Sequence, residues 1–213
     1  MKQLIISATA FEIGRIPDSY SKPESDAQQL SFLISGIGIH ATTYHLTRYL
    51  MLNRVDRVIQ VGIAGSFSNK WPVGAVVEVT SDCLADFGYD NRGTITGGAG
   101  AGWLKAGDPF YPDGWIGNEI QLDIGLAPVR GITVNLASGS AERIRQLVSK
   151  YSPDTESMEG AAAAYVCRQS GIPFFQIRAI SNPVAVRNEA EWNIPLALTN
   201  LHAWLTSYLH LNP

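Results

Sequence analysis

Short apolar segments alternate with helical ones along most of the chain, and this alternation limits the possible folds more than any other sequence feature. The apolar segments are rich in Ile, Val, Leu and Phe, which favours β-strands. They lie at residues 4–8, 30–35, 55–61 and 174–180, with weaker examples at 75–79 and 129–134. Helical spacing occurs at residues 39–52, 140–150 (with Ser140 as N-cap), 159–169 and 195–209. This order predicts an α/β fold: a single domain over residues 1–213, with three α/β/α layers around a largely parallel or mixed central sheet.

Composition argues against several classes of partner. Of the 213 residues, 46% are hydrophobic and 16% are charged, which is typical of a sheet covered by helices on both faces. The formal net charge is −3 and there is no run of Lys and Arg, so we expect neither a nucleic-acid nor a membrane partner. No apolar stretch approaches the roughly 20 residues of a membrane span. Glu12 follows the first apolar run too closely for a signal peptide, so we expect a cytoplasmic protein.

The two cysteines, Cys83 and Cys167, lie far apart and outside any cluster of other ligands. This spacing predicts neither a disulfide framework nor a metal site. We expect buried thiols, no metal and no cofactor.

Residues 87–117 break the alternation of strands and helices. The segment is rich in glycine and carries Trp103 and Trp115. We expect a long loop, which is a candidate for part of the pocket or for a subunit contact.

The glycine motif at residues 35–41, Ser-Gly-Ile-Gly-Ile-His-Ala, follows a predicted strand and precedes a predicted helix. It matches the G-x-G-x-x-A form of a dinucleotide fingerprint, which requires an acidic residue at the end of the next strand. That strand ends in Gln60-Val61-Gly62 instead. A tight turn that needs glycine is therefore the better interpretation, and close approach of the backbone to a ligand is a third.

Polar and small residues gather where the predicted strands end. Glu12 comes just after the first strand, and residues 62–66 follow the third, as a pocket floor or a plain turn. Glu159 stands where a short strand meets a helix, so capping is its alternative role. Arg178 lies near the end of an apolar strand that closes with Ser181-Asn182. Two carboxylates and an amide at the ligand-binding edge suit cleavage of a glycosidic bond, while surface ion pairing would explain any one of them alone.

These residues resemble the nucleoside phosphorylase/nucleosidase superfamily. The segments that carry the resemblance occur in the family's order across nearly the whole chain: Glu12 and residues 35–38, 62–65, 157–159 and 178–182. They are most similar to the hydrolase branch that includes methylthioadenosine/S-adenosylhomocysteine nucleosidase. With Arg187 and the run from Trp192 to Ala197, residues 178–182 resemble the futalosine hydrolases of menaquinone biosynthesis. The resemblance implies a nucleoside phosphorylase-like fold and hydrolysis of the N-glycosidic bond of a purine nucleoside.

The resemblance also implies roles for individual residues. Glu12 is expected to position and deprotonate the attacking water, and Glu159 to bind the ribose hydroxyls and stabilise the cationic sugar. Asn182 is expected to meet the purine near N7. Arg178 is expected to orient the polar groups at the strand end. The remaining expected substrate-binding residues are Met158 under the ribose, Ala64 and Gly65 on the sugar and water side, Ile63, Ser181, and Arg187 for a substrate carboxylate. For Arg187, a solvated position in a loop is the alternative.

Asn182 departs from the methylthioadenosine nucleosidases, which carry aspartate at the matching place. An ionised carboxylate only accepts hydrogen bonds, whereas an amide can donate to N7 or O6. Asn182 therefore favours a 6-oxopurine such as hypoxanthine, the base of futalosine. An amide is also a weaker acid at N7, so activation of the leaving group must depend more on hydrogen bonding.

Alternative functions remain open at this point. A methylthioadenosine/S-adenosylhomocysteine nucleosidase is the first, and a purine nucleoside phosphorylase is the second. A phosphorylase needs cationic or hydroxyl groups for phosphate, whereas Ile63 stands where serine is common and Glu12 is negatively charged. A non-catalytic nucleoside-binding protein is the third, and Glu12 together with Glu159 argues against it. The resemblance also implies a homodimer or higher homo-oligomer. Residues 135–140 match the family poorly, so no base contact is assigned to them.

Overall fold

Helices cover both faces of one mixed sheet in the computed structural model, which describes residues 1–14, 29–104, 114–117, 125–186 and 188–211. The strands are β1 (Lys2–Ser7), β2 (Gln29–Ile34), β3 (Arg57–Ser66), β4 (Val76–Asp82), β5 (Gly88–Asn91), β6 (Thr94–Gly97), β7 (Ile116–Gly117), β8 (Ala127–Thr133), β9 (Thr155–Ser157) and β10 (Phe174–Pro183). The helices are α1 (Ala10–Ile13), α2 (Ile39–Leu52), α3 (Ala141–Tyr151), α4 (Gly160–Gln169) and α5 (Ile194–Leu211), with a short 3-10 helix at Glu189–Glu191.

Strand β1 shows how the sheet serves two helix layers, because successive side chains of a strand point to opposite faces. Ile5 packs in a core cluster with Leu201 of α5. Leu4 and Ile6 pack in a separate cluster with Leu46 of α2, which also contains residues of α4. The three-layer α/β/α arrangement around a mixed sheet is therefore confirmed.

The sheet closes partly on itself, and this closure places the site. Its strand order is β10-β4-β8-β9-β3-β1-β2, with β7 paired to β4. Strand β10 also pairs in parallel with β3, so β3, β9, β8, β4 and β10 form a ring. Strand β9 pairs antiparallel with β3. The end of β3 consequently lies between β9 and β10.

Two segments differ from the sequence prediction. Residues 62–66 do not follow the third strand but form its last residues, because β3 extends to Ser66. Glycine inside a strand is typical of places where other groups approach the backbone closely.

In the segment 87–117, β5 and β6 form a hairpin in place of part of the expected loop. Arg92 and Gly93 at its tip both have positive φ, as a tight two-residue hairpin turn requires.

The predicted helices are confirmed with small shifts at their ends, and α2 has the predicted bounds. Ser140 caps α3 as expected, since its hydroxyl accepts a hydrogen bond from the Arg143 N–H at 3.4 Å. Both cysteines are buried free thiols, also as expected. Within the described part of the chain, every helix lacks the length or the apolar character that crossing a bilayer demands.

Candidate active site

A cavity of about 510 Å³ brings most of the predicted site residues together. Those that line it are Glu12, Ile63, Ala64, Gly65, Met158, Glu159, Ser181 and Asn182. Arg178 is not among the lining residues, and Arg187 lies outside the described residues. The described part of the segment 87–117 contributes nothing to the wall, so its expected role at the pocket is not supported there.

Glu12 enters the cavity from α1, just after β1. One carboxylate oxygen, Oε2, accepts hydrogen bonds from the Thr9 N–H at 2.9 Å and the Thr9 hydroxyl at 3.1 Å. The other, Oε1, accepts from the Ile63 N–H at 3.1 Å. The residue is only 6% exposed. These donors hold the carboxylate against β3, while Oε1 keeps one lone pair for a further proton donor.

Glu159 occupies the N-cap position of α4, but its side chain does not cap that helix. Its Oε1 accepts a hydrogen bond from the Gly38 N–H at 3.0 Å instead. Gly38 has a φ of +89°, which explains the glycine at this turn. The carboxylate of Glu159 thus occupies a donor at the start of α2, where a dinucleotide fingerprint would hold pyrophosphate. This contact supports the tight-turn interpretation of the glycine motif.

Arg178 lies behind the cavity wall and pairs with Glu159. Its Nη1 is 3.6 Å from Glu159 Oε2 and donates to the Ile63 carbonyl at 3.3 Å. A Cβ on Gly62 would lie 2.3 Å from that Nη1 and 3.0 Å from Glu12 Oε1. Because Gly62 has no side chain, the Arg178 guanidinium and the Glu12 carboxylate can both lie close to β3 at this residue.

Asn182 faces the cavity near the end of β10 with its amide held in one orientation. The Ser181 hydroxyl lies 2.7 Å from Asn182 Oδ1 and donates to it. Asn182 Nδ2 donates to the Pro183 carbonyl at 3.0 Å, which uses one of its two N–H groups. One N–H of Nδ2 is therefore left free to donate to a ligand.

Glu156 and Ser138 also line the cavity, although no role was predicted for either. The Glu156 carboxylate accepts hydrogen bonds from the Ser138 N–H at 2.8 Å and the Ser138 hydroxyl at 2.5 Å. Burial raises the pKa of Glu156, and the bonds from Ser138 oppose that rise. The sequence signal was an acidic residue in the short buried strand before Met158. It becomes informative only when the pairing of that strand is known.

Much of the cavity lining is apolar. Its large apolar side chains include Phe11, Ile37, Val186, Trp192, Ile194 and Leu198. Phe11 is 76% exposed and Ile37 is 64% exposed, so the cavity opens to the surface beside them. Trp192 and Ile194 belong to the run of residues 192–197 that resembles the futalosine hydrolases.

A buried polar cluster lies beside the first residues of α4. Asp82 accepts hydrogen bonds from the Thr133 hydroxyl and from Gln176 Nε2, both at 3.0 Å. Thr133 Oγ1 in turn accepts from the Ala161 N–H at 2.8 Å. A Cβ on Gly160 would lie 2.2 Å from Asp82 Oδ2, so only glycine fits there. Burial raises the pKa of Asp82 to about 6. The cluster fixes the first turn of α4, next to Glu159.

Known proteins share this fold and sequence pattern. The family model described as the phosphorylase superfamily matches residues 20–210. The futalosine hydrolase of Thermus thermophilus is 30% identical over 172 residues, which cover 80% of this chain and 76% of that protein. The 5'-methylthioadenosine/S-adenosylhomocysteine nucleosidase of Actinobacillus succinogenes is 30% identical over 170 residues, covering 75% of this chain and 70% of that protein. The native structure of Helicobacter pylori futalosine hydrolase superposes with a TM-score of 0.78 at 18% identity, covering 98% and 97% of the two chains.

The chain belongs to the phosphorylase superfamily, as its sequence motifs predicted. The structural neighbour at 18% identity supports the fold alone. The names of the relatives indicate an N-glycosyl hydrolase, the enzyme class expected from the sequence.

Proposed function

We propose that this chain, as one nucleosidase domain over residues 1–213, hydrolyses the N-glycosidic bond of a 6-oxopurine nucleoside, and that its substrate is futalosine. The proposal rests on one observation: Glu12, Glu159 and Asn182 line the same cavity. Two carboxylates flank the space for a sugar, and an amide donor faces the space for a base. The futalosine hydrolase relative at 30% identity agrees with this assignment.

In the proposed reaction, Glu12 accepts a proton from water while the water oxygen bonds to C1′ of the ribose. The C1′–N9 bond breaks and its electron pair goes to the purine, which takes up a proton from solvent as it leaves. Glu12 then returns the proton that it took from water to solvent. Glu159 binds the ribose hydroxyls and stabilises the positive charge that develops on the sugar. Asn182 Nδ2 donates to the purine at N7 or O6 and so stabilises the negative charge on the departing base.

Water rather than phosphate is the proposed nucleophile. Four carboxylates line the cavity, from Glu12, Glu156, Glu159 and Glu191. Among the described lining residues there is no Lys, Arg or His. A phosphate dianion would meet negative charge without a cationic partner at this wall, whereas water is neutral and benefits from the Glu12 base.

The 5′ substituent of futalosine carries a benzoate, and the apolar part of the cavity lining suits its ring. Phe11, Ile37 and Trp192 offer apolar and aromatic surface there. Arg187 stays our candidate for the carboxylate of that group.

We also propose a homo-oligomer. One face of α2 is apolar and open: Tyr44 is 60%, Met51 81% and Leu52 72% exposed. Ile37, just before α2, is exposed and lines the cavity, so a second copy on this face would border the site. Light scattering after size exclusion should give a mass of two or more chains, and Met51→Glu should lower it. A monomer with full activity contradicts the proposal.

The proposed function is tested by incubating the purified protein with futalosine, its 6-amino counterpart, methylthioadenosine and inosine, each without and with phosphate. Free base is separated by chromatography and quantified. We expect hypoxanthine from futalosine at a rate that phosphate does not change. A rate that requires phosphate indicates a phosphorylase, and tight purine binding without turnover indicates a binding protein.

The second candidate is a methylthioadenosine/S-adenosylhomocysteine nucleosidase, because a relative of that name is also 30% identical. Faster cleavage of methylthioadenosine than of futalosine would favour it. Asn182 argues for the first candidate, since its Nδ2 keeps a free N–H that an aspartate would lack.

A further inference from the structure

We propose that Glu156 determines which purine is accepted: its carboxylate takes a hydrogen bond from the N1–H of a 6-oxopurine, opposite the contact that Asn182 makes. The inference rests on the proposed function, because it needs a purine in the cavity. It adds a residue from a short strand to which no role was assigned from the sequence.

Glu156, Gly65 and Asn182 stand in one row across three neighbouring strands. Gly65 of β3 pairs with Glu156 of β9 on one side and with Asn182 of β10 on the other. Residues that pair directly across strands project from the same face of a sheet. All three residues line the cavity. The row therefore carries one acceptor and one donor that face the same space from opposite sides.

Gly65, in the middle of this row, has no side chain, and its neighbours use the space. Adjacent strands are about 4.8 Å apart, so the backbones of β9 and β10 are separated by roughly 10 Å across β3. A Cβ on Gly65 would lie 3.2 Å from Asn182 Nδ2 and 2.7 Å from Val184 Cγ2. Because glycine stands there, the Asn182 amide and Val184 can lie against the end of β3 and line the cavity.

The carboxylate of Glu156 is held as an acceptor. Glu156 is 8% exposed, and both of its oxygens have a donor from Ser138. Each oxygen retains a lone pair for a ligand. Burial raises the pKa of Glu156, and the bonds from Ser138 and the charge of Arg143 oppose that rise. Burying a carboxylate at a largely apolar wall lowers the stability of the fold unless further donors bind it. The N–H of a ligand is such a donor.

The two kinds of purine differ at the atoms that this row faces. A 6-oxopurine presents an acceptor at O6 and a donor at N1, which match Asn182 Nδ2 and the Glu156 carboxylate. A 6-aminopurine presents a donor at C6 and a lone pair at N1. In the same pose its amino group would face the amide donor and its N1 lone pair would face the carboxylate. Both contacts then repel, so the row selects the 6-oxo form.

The test compares kcat/KM for futalosine and its 6-amino counterpart in the wild type, Glu156→Gln and Glu142→Gln. Hydrogen bonds to charged groups contribute about 1.5–3 kcal/mol, so Glu156→Gln should lower kcat/KM for futalosine roughly 10- to 100-fold. The value for the 6-amino substrate should stay equal or rise, because glutamine can donate to N1. Glu142 is an exposed carboxylate of α3, so its variant should leave both values unchanged.

A wild-type measurement keeps the test independent of how Glu156→Gln folds. The product hypoxanthine and 1-methylhypoxanthine, which lacks N1–H, are compared as competitive inhibitors. We expect 1-methylhypoxanthine to bind at least about 10-fold more weakly. If the wild type cleaves futalosine but Glu156→Gln keeps the substrate ratio, or if the two bases inhibit equally, the role of Glu156 is overturned while the proposed function stands. A wild type that releases no base from either nucleoside overturns both.

Discussion

Arg178 Nη1 lies 3.6 Å from Glu159 Oε2, and the two side chains are only 1% and 6% exposed. A buried pair of this kind is stabilising only while both charges are present, because removing one leaves the other uncompensated. Glu159 lines the cavity and Arg178 does not. The guanidinium therefore acts on a ligand through the carboxylate that it holds.

Arg178→Met should lower the free energy of unfolding by about 3 kcal/mol, since it leaves Glu159 buried without its partner. Denaturant unfolding measures this loss. In the Glu159→Gln background the same change should cost clearly less, because the unpaired charge is gone. An equal cost in both backgrounds would show that the two residues are not coupled.

Glu12→Gln should lower kcat at least about 100-fold while leaving KM and inhibition by the free base nearly unchanged. The amide keeps the shape of the side chain but cannot take a proton from water, and general bases contribute about 100- to 10,000-fold. Steady-state release of the base measures the effect. Near-normal turnover would remove Glu12 from the role of base.

Asn182→Asp should shift the substrate preference from 6-oxo toward 6-amino purine nucleosides. The change replaces the donor that faces the cavity with an acceptor, which repels O6 and accepts from a 6-amino group. The ratio of kcat/KM for futalosine to that for its 6-amino counterpart measures the shift. We expect it to fall at least about 10-fold. An unchanged ratio means that Asn182 does not contact the base.

Gly62→Ala should abolish most activity, because its Cβ would lie 2.3 Å from Arg178 Nη1 and 3.0 Å from Glu12 Oε1. Moving either group breaks the contacts that hold the two carboxylates. Gly117→Ala is the matched control, since a Cβ there meets no atom within 4 Å. Turnover and the midpoint of thermal unfolding are compared for both variants. If Gly62→Ala is as active as the control, the close approach at β3 has no functional importance.

Much of this arrangement could be predicted from the sequence because it follows from local rules. Alternating strands and helices specified the layers, and carboxyl ends of parallel strands specified the edge at which Glu12 and Asn182 meet. The role of Gly62 could not be predicted, because it depends on how close Arg178 of a distant strand comes. Glu156 was missed for a similar reason, since its value as a site residue comes from pairing across β3 with Gly65.

The Gly-rich segment shows the opposite limit. Its composition indicates turns but does not specify which residues pair. In the structure, positive φ at Arg92 and Gly93 forms the tight turn that joins β5 to β6. Helix capping was the alternative role that local sequence offered for Glu159. The side chain instead accepts a hydrogen bond from Gly38, 121 positions away in the chain.

Asp82 gives the fold a pH dependence that can be measured apart from activity. Burial raises its pKa from an ordinary 3.8 to about 6, so the folded chain binds this proton more tightly than the unfolded chain. The contribution of Asp82 to the free energy of unfolding should therefore fall as pH rises from about 4 to about 6, by an amount on the order of 2–3 kcal/mol. Asp82→Asn removes that titration. The variant keeps the Thr133 bond at Oδ1, and the Gln176 amide can turn to present Oε1, which has no hydrogen-bond partner among the described residues.

The expected result is that the stability of Asp82→Asn relative to the wild type rises across this pH range and then levels off. Asp56→Asn is a control of opposite sign, because the backbone N–H of Lys2 lowers the pKa of that exposed carboxyl. Its stability relative to the wild type should not rise with pH. Denaturant unfolding at several pH values gives both differences. If the difference for Asp82→Asn is flat from pH 4 to pH 7, Asp82 does not titrate in this range in the folded protein, and the cluster beside α4 holds it in one protonation state.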